Sequence, residues 1–329
     1  MTSGASIVVT YHYVRDTKTG PFPGIKALSV AEFEAQLGFV QSRFDVVALD
    51  AFEAALDGRR RPRRPIALLT FDDGFIDHYD TVFPILRRRG IPGLFFVTGA
   101  GIADPPRLLN VHRAHFLLAR LDSKTFGAEV RREAASLGDQ GAGAGLPRDG
   151  LYRYDLEPDG DVKRMLNYEL PFDAADAILA RLFERHLGDS TAFARTLYLT
   201  CGMIGEMARG GMAFGWHTET HRVLARLDRD RQARELQRGV ALIGALTGQT
   251  TVPFCYPYGH PQTYNGTTVE VLRGCGYAMA FTVVRQPVSY PVSARDRYEL
   301  TRLDCKDLPP FRDLDREGPG AAVGGDGRE

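Results

Sequence analysis

The sequence predicts an α/β fold built on a parallel sheet or barrel, and three observations indicate it. Short apolar, β-rich runs alternate with helical patterns along most of the chain. These runs are almost continuously apolar, which is typical of parallel strands buried on both faces. Seven or eight strand–helix units favour a barrel over an open sheet. The length of 329 residues suits one large domain of this class or two small ones.

The individual elements follow the apolar runs in order. Strands are predicted at 7–11, 45–48, 66–71, 93–97, 212–216, 251–256 and 277–283. Helices are predicted at 30–43, 79–89, 230–247 and 265–275. Gly90 ends the second of these helices and Pro92 follows it, which is a common stop signal.

Residues 101–196 break this alternation and have a helical pattern. We interpret them as an insertion or cap within a single catalytic domain that covers residues 1–312. The Gly-rich stretch at 138–150 predicts a mobile loop inside the insertion. Residues 313–329 predict a disordered tail.

Composition excludes several classes of function. The net charge is zero and the pI is about 7.1, so no nucleic-acid surface is indicated. No run reaches the roughly 18 apolar residues of a transmembrane helix. The first residues lack the pattern of a signal peptide, and a cytoplasmic location is expected. The four cysteines match no zinc or disulfide template, which indicates reduced thiols.

Two adjacent carboxylates end the most apolar strand. Residues 67–75 read ALLTFDDGF, which places Asp72 and Asp73 at the carboxyl end of a buried strand. The active sites of α/β barrels lie at this end of the strands. An Asx turn or a helix N-cap is the alternative interpretation. A pair of acids ending an apolar strand favours a catalytic or metal-binding role.

A histidine pair supplies the second candidate. His217 and His221 are four residues apart, and on a helical turn they would share one face. Two imidazoles and a carboxylate form a known catalytic zinc set, in which Asp73 or Asp72 would be the third ligand. The alternative is a pair of solvated or capping histidines. Glu219 stands at the wrong offset for the H-E-x-x-H protease motif.

Two weaker features occur at other predicted strand ends. His12 follows the first strand, where a buried structural histidine is the alternative interpretation. Pro257 and Tyr258 follow the sixth strand, and such a turn can present a backbone N–H and an aromatic wall to a substrate. A simple core strand with its turn is the alternative.

Taken together, these residues resemble the polysaccharide deacetylase superfamily, also called NodB-like or carbohydrate esterase family 4. The motif T-F-D-D-G is matched by residues 70–74, and H-[ST]-x-x-H is matched by residues 217–221. The motif R-x-P-Y is matched only by Pro257 and Tyr258, because Cys255 stands at the arginine position. The resemblance spans residues 7 to about 304.

The resemblance implies a distorted (β/α) barrel of the NodB-like deacetylase type, here with a helical insertion. It implies one divalent metal, usually zinc, with cobalt, nickel or manganese as alternatives. Asp73, His217 and His221 would bind this metal. Asp72 would be the general base, and the backbone N–H of Tyr258 would help to hold the oxyanion.

Other roles depend on how this chain departs from the family. The family's late histidine, the general acid, has no counterpart after His260, so His12 is expected to act as in the branch whose acid histidine lies on the first strand. Arg302 could replace the missing arginine beside Asp72, with a surface salt bridge as the alternative. His112 and His115 in the insertion are expected to pack a helix or to lie at the surface, with contact to the substrate as the alternative.

The expected function is metal-dependent N-deacetylation of an amino-sugar unit, in a small molecule or oligosaccharide from glycan or natural-product biosynthesis. An N-deformylase, or another C–N amide hydrolase on the same fold, is one alternative. A carbohydrate-binding pseudoenzyme without turnover is the other. No nucleic-acid partner is expected.

Overall fold

Parallel strands form the centre of this protein, which we describe from a computed structural model. The structure describes residues 6–18, 20–136 and 159–312. Its strands are β1 (Ile7–Tyr11), β2 (Asp45–Val46), β3 (Ile66–Phe71), β4 (Leu94–Val97), β5 (Ala213–Trp216), β6 (Phe254–Cys255), β7 (Ala280–Phe281) and β8 (Leu303–Asp304). They form one parallel sheet in the order β7-β6-β5-β4-β3-β1-β8, and β2 also pairs with β3.

The sheet curves until its two ends meet. A parallel bridge joins Phe281 on β7 to Leu300, and the chain continues from Leu300 directly into β8. The N–H of Thr282 donates to the Leu300 carbonyl at 2.8 Å and extends this contact. The result is a distorted (β/α) barrel, in agreement with the fold class expected from the sequence. The sequence did not predict β8, which has only two residues.

Helices surround the barrel. Outside the insertion they are α1 (Val30–Arg43), α2 (Leu49–Leu56), α3 (Phe83–Arg89), α9 (Cys201–Arg209), α10 (Arg229–Leu236), α11 (Gly239–Thr247) and α12 (Gly266–Gly274). The single helix predicted at 79–89 is a π-helical turn, His78–Val82, that continues into α3. The helix predicted at 230–247 is two helices, because the chain turns at Gln237 and Arg238.

Within its described residues, the inserted region contributes five further α-helices and an apolar core of its own. They are α4 (Asn110–Arg120), α5 (Ser123–Ser136), α6 (Asp159–Arg164), α7 (Phe172–Leu187) and α8 (Ser190–Leu197). Buried side chains from these helices form a second apolar cluster, which includes Phe116, Ile178 and Phe183. The predicted loop at 138–150 and the predicted tail at 313–329 lie outside the described residues. Within the described ranges, no helix is both long and apolar enough to cross a membrane.

Close strand packing lies directly beneath the rim of the barrel. Gly215 on β5 has no side chain, and a Cβ atom there would lie 2.7 Å from the carbonyl oxygen of Pro253. The next residue, Trp216, is fully buried, and its indole N–H donates to the carbonyl of Glu235 at 2.9 Å. Glycine at position 215 therefore lets the segment that carries Pro253 pack closely against β5, two residues before His217.

We predict that Gly215→Ala lowers the free energy of unfolding by about 1–3 kcal/mol, because a methyl group overpacks this contact. The matched control is Gly38→Ala on α1, where a Cβ atom would meet nothing within 4 Å. That change should stabilise the protein by about 0.5–1 kcal/mol, since alanine is the better helix former. Urea unfolding measures both, and equal effects of the two substitutions would contradict the prediction.

Candidate active site

The sequence-predicted residues converge at one rim of the barrel. His12 follows β1, Asp72 and Asp73 follow β3, His217 follows β5, and Tyr258 lies in the loop after β6. All these strands are parallel, so their carboxyl ends lie on the same side. A cavity of about 730 Å³ opens at this rim and is lined by these residues together with Arg302 and side chains of the insertion.

Asp72 is held by a buried arginine. Its backbone N–H donates to the carbonyl of Tyr11 at 2.9 Å and so extends the pairing of β3 with β1. Arg302 donates from Nη1 to Oδ1 at 2.8 Å and from Nη2 to Oδ2 at 2.7 Å. Thr10 adds a hydroxyl hydrogen bond to Oδ2 at 3.2 Å. The carboxylate therefore has one defined orientation.

Arg302 lies where the absent motif arginine would be needed, with Cys255 beside it. The Cys255 sulfur lies 3.0 Å from Arg302 Nη2 and 3.5 Å from Asp72 Oδ2. The structure thus brings Arg302 to Asp72, and it is fully buried instead of forming a surface salt bridge.

The charges of this pair stabilise each other. Burial by itself raises the pKa of Asp72, but the charge and hydrogen bonds of Arg302 outweigh it and hold that pKa well below its usual range. Burial by itself lowers the pKa of Arg302, and Asp72 reverses that shift, so the guanidinium stays charged. Burial raises the pKa of Cys255, which remains a thiol.

Asp73 points into the site because the backbone turns sharply after β3. Asp73 and Gly74 both have positive φ, 77° and 68°. This conformation is uncommon for a non-glycine residue and marks a constrained position. Asp73 Oδ1 then lies 3.6 Å from His217 Nε2 and 3.5 Å from His221 Nε2.

His217 and His221 meet through a loop and not through a helix. The expected helical turn is wrong, because residues 217–223 have no helical structure and Thr218 and His221 both have positive φ. Left-handed residues fold the loop back on itself, and the Thr218 hydroxyl accepts from the His221 N–H at 2.8 Å. The two imidazole centroids lie 4.8 Å apart.

The residues present fit a divalent metal. The ligand atoms of Asp73, His217 and His221 all lie within 4.8 Å of one another. Asp73 Oδ1 is buried and has no hydrogen-bond partner among the described residues. His217 Nδ1 donates to the carbonyl of Cys255 at 2.8 Å. The lone pair of the neutral ring is then on Nε2, on the side of Asp73, where it can bind a metal. A carboxylate and two imidazoles match a catalytic zinc set.

The protonation of the histidines agrees with this role. Burial lowers the pKa of His217, and it lowers the pKa of His221 to about 3. Both imidazoles are therefore neutral near pH 7, as metal ligands must be. A second cluster of Asp72, His217 and Cys255 also has metal-ligand spacing, but Arg302 already occupies both oxygens of Asp72.

His12 faces Asp72 across the cavity. Its Nε2 lies 3.9 Å from Asp72 Oδ2, and its side chain is 41% exposed. Two hydrogen bonds hold the backbone of this segment. His78 Nε2 donates to the His12 carbonyl at 3.0 Å, and the Val14 N–H donates to Asp77 at 3.2 Å. His12 can therefore reach both solvent and the cavity.

Tyr258 forms the wall beside His221. Tyr258 has a φ of 62°, and its ring meets the His221 ring edge-on at 4.9 Å. Its hydroxyl donates to Asn167 Oδ1 at 3.1 Å, so the insertion holds this wall. Within the described ranges, its backbone N–H has no hydrogen-bond partner. Pro257 is buried just before it.

His112 is the site residue that the sequence analysis missed. It lies on α4 of the insertion, is fully buried, and places Nε2 3.2 Å from Asp73 Oδ2. Its ring packs against Phe75, as the favoured expectation has it, and it is not at the surface; its contact with Asp73 was not expected. His115 lines the same cavity and contacts the Tyr13 hydroxyl at 3.3 Å. No local motif marks His112, because its partner is 39 positions away in sequence.

Fold and site define a (β/α)-barrel protein with a carboxylate–histidine centre at the carboxyl rim. The profile of the polysaccharide deacetylase family matches residues 59–115 and 177–280. The chain belongs to the polysaccharide deacetylase superfamily, the NodB-like group of carbon–nitrogen hydrolases.

Individual relatives are more distant. The putative polysaccharide deacetylase YxkH of Bacillus subtilis is 27% identical over 78 residues, which is 23% of this chain and 28% of the length of that protein. The Streptococcus pyogenes deacetylase PplD in complex with acetate is 17% identical, with a TM-score of 0.56 and 97% of both chains covered. IcaB from Ammonifex degensii is 20% identical, with a TM-score of 0.56 and 91% of both chains covered. At these identities the two structures establish the fold alone.

We predict that Arg302→Met lowers the free energy of unfolding by about 3–5 kcal/mol, because it leaves the Asp72 charge buried without its partner. Adding Asp72→Asn should recover part of this loss, since the double variant has no unpaired charge. The control is Arg88→Met, which breaks an exposed pair with Glu34 and should cost about 0–1 kcal/mol. Urea unfolding decides, and a loss as small as that of the control contradicts the role of Arg302.

Proposed function

We propose that this protein is a metal-dependent N-deacetylase that acts on an amino-sugar unit. The observation that carries the proposal is the division between two adjacent acids. Asp73 faces two neutral imidazoles, whereas Asp72 is held by Arg302 and faces His12. These contacts support a division in which Asp73 anchors a metal while Asp72 accepts a proton.

Each remaining group has a defined task in amide hydrolysis. A metal held by Asp73, His217 and His221 would polarise the acyl carbonyl and make a water molecule acidic. Asp72 accepts the proton of the attacking water, and Arg302 keeps this carboxylate ionised and oriented. The Tyr258 N–H donates to the acyl oxygen as negative charge develops there. His12 donates a proton to the departing amine.

The proposed substrate class follows from the cavity and from the family. A volume of about 730 Å³ lies in the range of small-molecule sites. Side chains of the insertion, including Asn110, His115 and Asn167, close one side of it. This enclosure supports an amino-sugar unit in a small molecule or oligosaccharide. The acetate in the similar streptococcal deacetylase supports acetyl as the acyl group.

The test is amine release from a panel of N-acetyl and N-formyl amino sugars, with the metal content of the purified protein measured in parallel. About one zinc per chain, and release that a chelator abolishes and zinc restores, would support the proposal. The acid released identifies the acyl group, so formate in place of acetate would replace a deacetylase with a deformylase. A protein that binds no metal after reconstitution with zinc, cobalt, nickel or manganese would overturn it.

We predict different losses from the two acids. Asp72→Asn should retain zinc while amine release falls by about 10²–10⁴-fold, because only the proton acceptor is removed. Asp73→Ala and His217→Ala should lose the zinc itself, because each removes a ligand. Elemental analysis and kinetics on the same preparations measure both quantities. Equal zinc loss in all three variants would contradict this division of roles.

A further inference from the structure

A histidine from the insertion contacts the carboxylate that faces the two barrel histidines. His112 Nε2 lies 3.2 Å from Asp73 Oδ2, and both side chains are buried. Among the described residues, no group meets hydrogen-bond geometry with His112 Nε2, so its contact with Asp73 Oδ2 rests on distance and charge. The Phe75 ring packs against the His112 ring edge-on, with centroids 4.8 Å apart. The imidazole is therefore confined to one position beside Asp73.

The two oxygens of Asp73 face different partners. Oδ1 faces His217 and His221, whereas Oδ2 faces His112. His112 is not part of the cluster whose ligand atoms lie within 4.8 Å of one another. We infer that His112 is a positioning residue, which holds Asp73 through Oδ2 so that Oδ1 is directed at the metal. The inference rests on the proposed function in one respect, that a metal binds at Asp73, His217 and His221.

The contacts behind His112 select the tautomer that this role requires. The Leu109 N–H donates to the Tyr198 hydroxyl oxygen at 3.1 Å, so the hydroxyl proton is available for another acceptor. His112 Nδ1 lies 2.5 Å from the same oxygen and can accept that proton. With Nδ1 accepting a hydrogen bond, a ring proton is on Nε2, the nitrogen that lies 3.2 Å from Asp73 Oδ2. Outer contacts of this kind tune metal affinity in other proteins.

The position of Tyr198 also depends on the barrel. Phe75, two residues after Asp73, forms an antiparallel bridge with Tyr198, and the Leu199 N–H donates to the Gly74 carbonyl at 2.9 Å. The turn that presents Asp73 is thus paired with the segment that presents Tyr198. The insertion and the barrel hold the carboxylate together.

The experiment measures zinc affinity of the full chain at pH 7, by competition with a chromophoric chelator. His112→Ala, and His112→Phe, which keeps an aromatic ring without the N–H, should each weaken zinc binding by about 10–100-fold. His112→Gln should restore part of the affinity, because its amide N–H can donate to Oδ2. Tyr198→Phe should give a smaller loss, since it removes only the contact that selects the tautomer.

The matched control is His186→Ala, which removes another histidine–carboxylate contact of the insertion, His186 Nε2 to Glu129 at 2.9 Å. It should leave zinc affinity unchanged. If His112→Ala does not fold, as judged by thermal unfolding without metal, His112→Phe decides. Affinity within twofold of the unsubstituted protein in the folded variant overturns the inference and leaves the proposed function intact. If the unsubstituted protein binds none of zinc, cobalt, nickel and manganese, the proposed function is overturned, and the inference with it.

Discussion

The buried contact between Arg302 and Asp72 joins the end of the chain to the strand that carries both acids. Arg302 stands just before β8, which pairs with β1, and β1 pairs with β3. Without the guanidinium, a carboxylate would have to lie in a nearly water-free rim uncompensated, at a large cost. Cys255 is small enough to leave room for it. A positive charge is needed beside the buried Asp72 carboxylate, and the residue just before β8 supplies it in place of one on the sixth strand.

Asp73 depends on a different set of neighbours. The barrel provides its backbone turn and the two histidines in front of it, while the insertion provides His112 behind it. The insertion also reaches the opposite wall through Asn167 and Tyr258. Its helices therefore do more than cover the cavity, because they contact groups on two sides of the centre. The two adjacent acids are held by different parts of the chain and can differ in role while sharing one strand end.

Local sequence patterns predicted much of the fold and part of the candidate site. Helix α1 and strands β1 and β3 have the bounds expected from periodicity, and the two-motif pattern located Asp72, Asp73, His217 and His221. The two-residue strand β8 is too short for a periodic signal. The left-handed residues of the 217–221 loop have no glycine to mark them, so the spacing was interpreted as helical. His112 owes its position to the packing of the insertion on the barrel, which no local pattern encodes.

The burial of Cys255 also decides its redox chemistry. Oxidation and alkylation of cysteine proceed through the exposed thiolate, and this thiol is both buried and held in its protonated form. Cys201, in contrast, is exposed. An oxidant or alkylating reagent would therefore reach the surface cysteine well before the one beside Asp72. The Cys255 sulfur can therefore lie beside Asp72 and still be protected from oxidants in the surrounding solution.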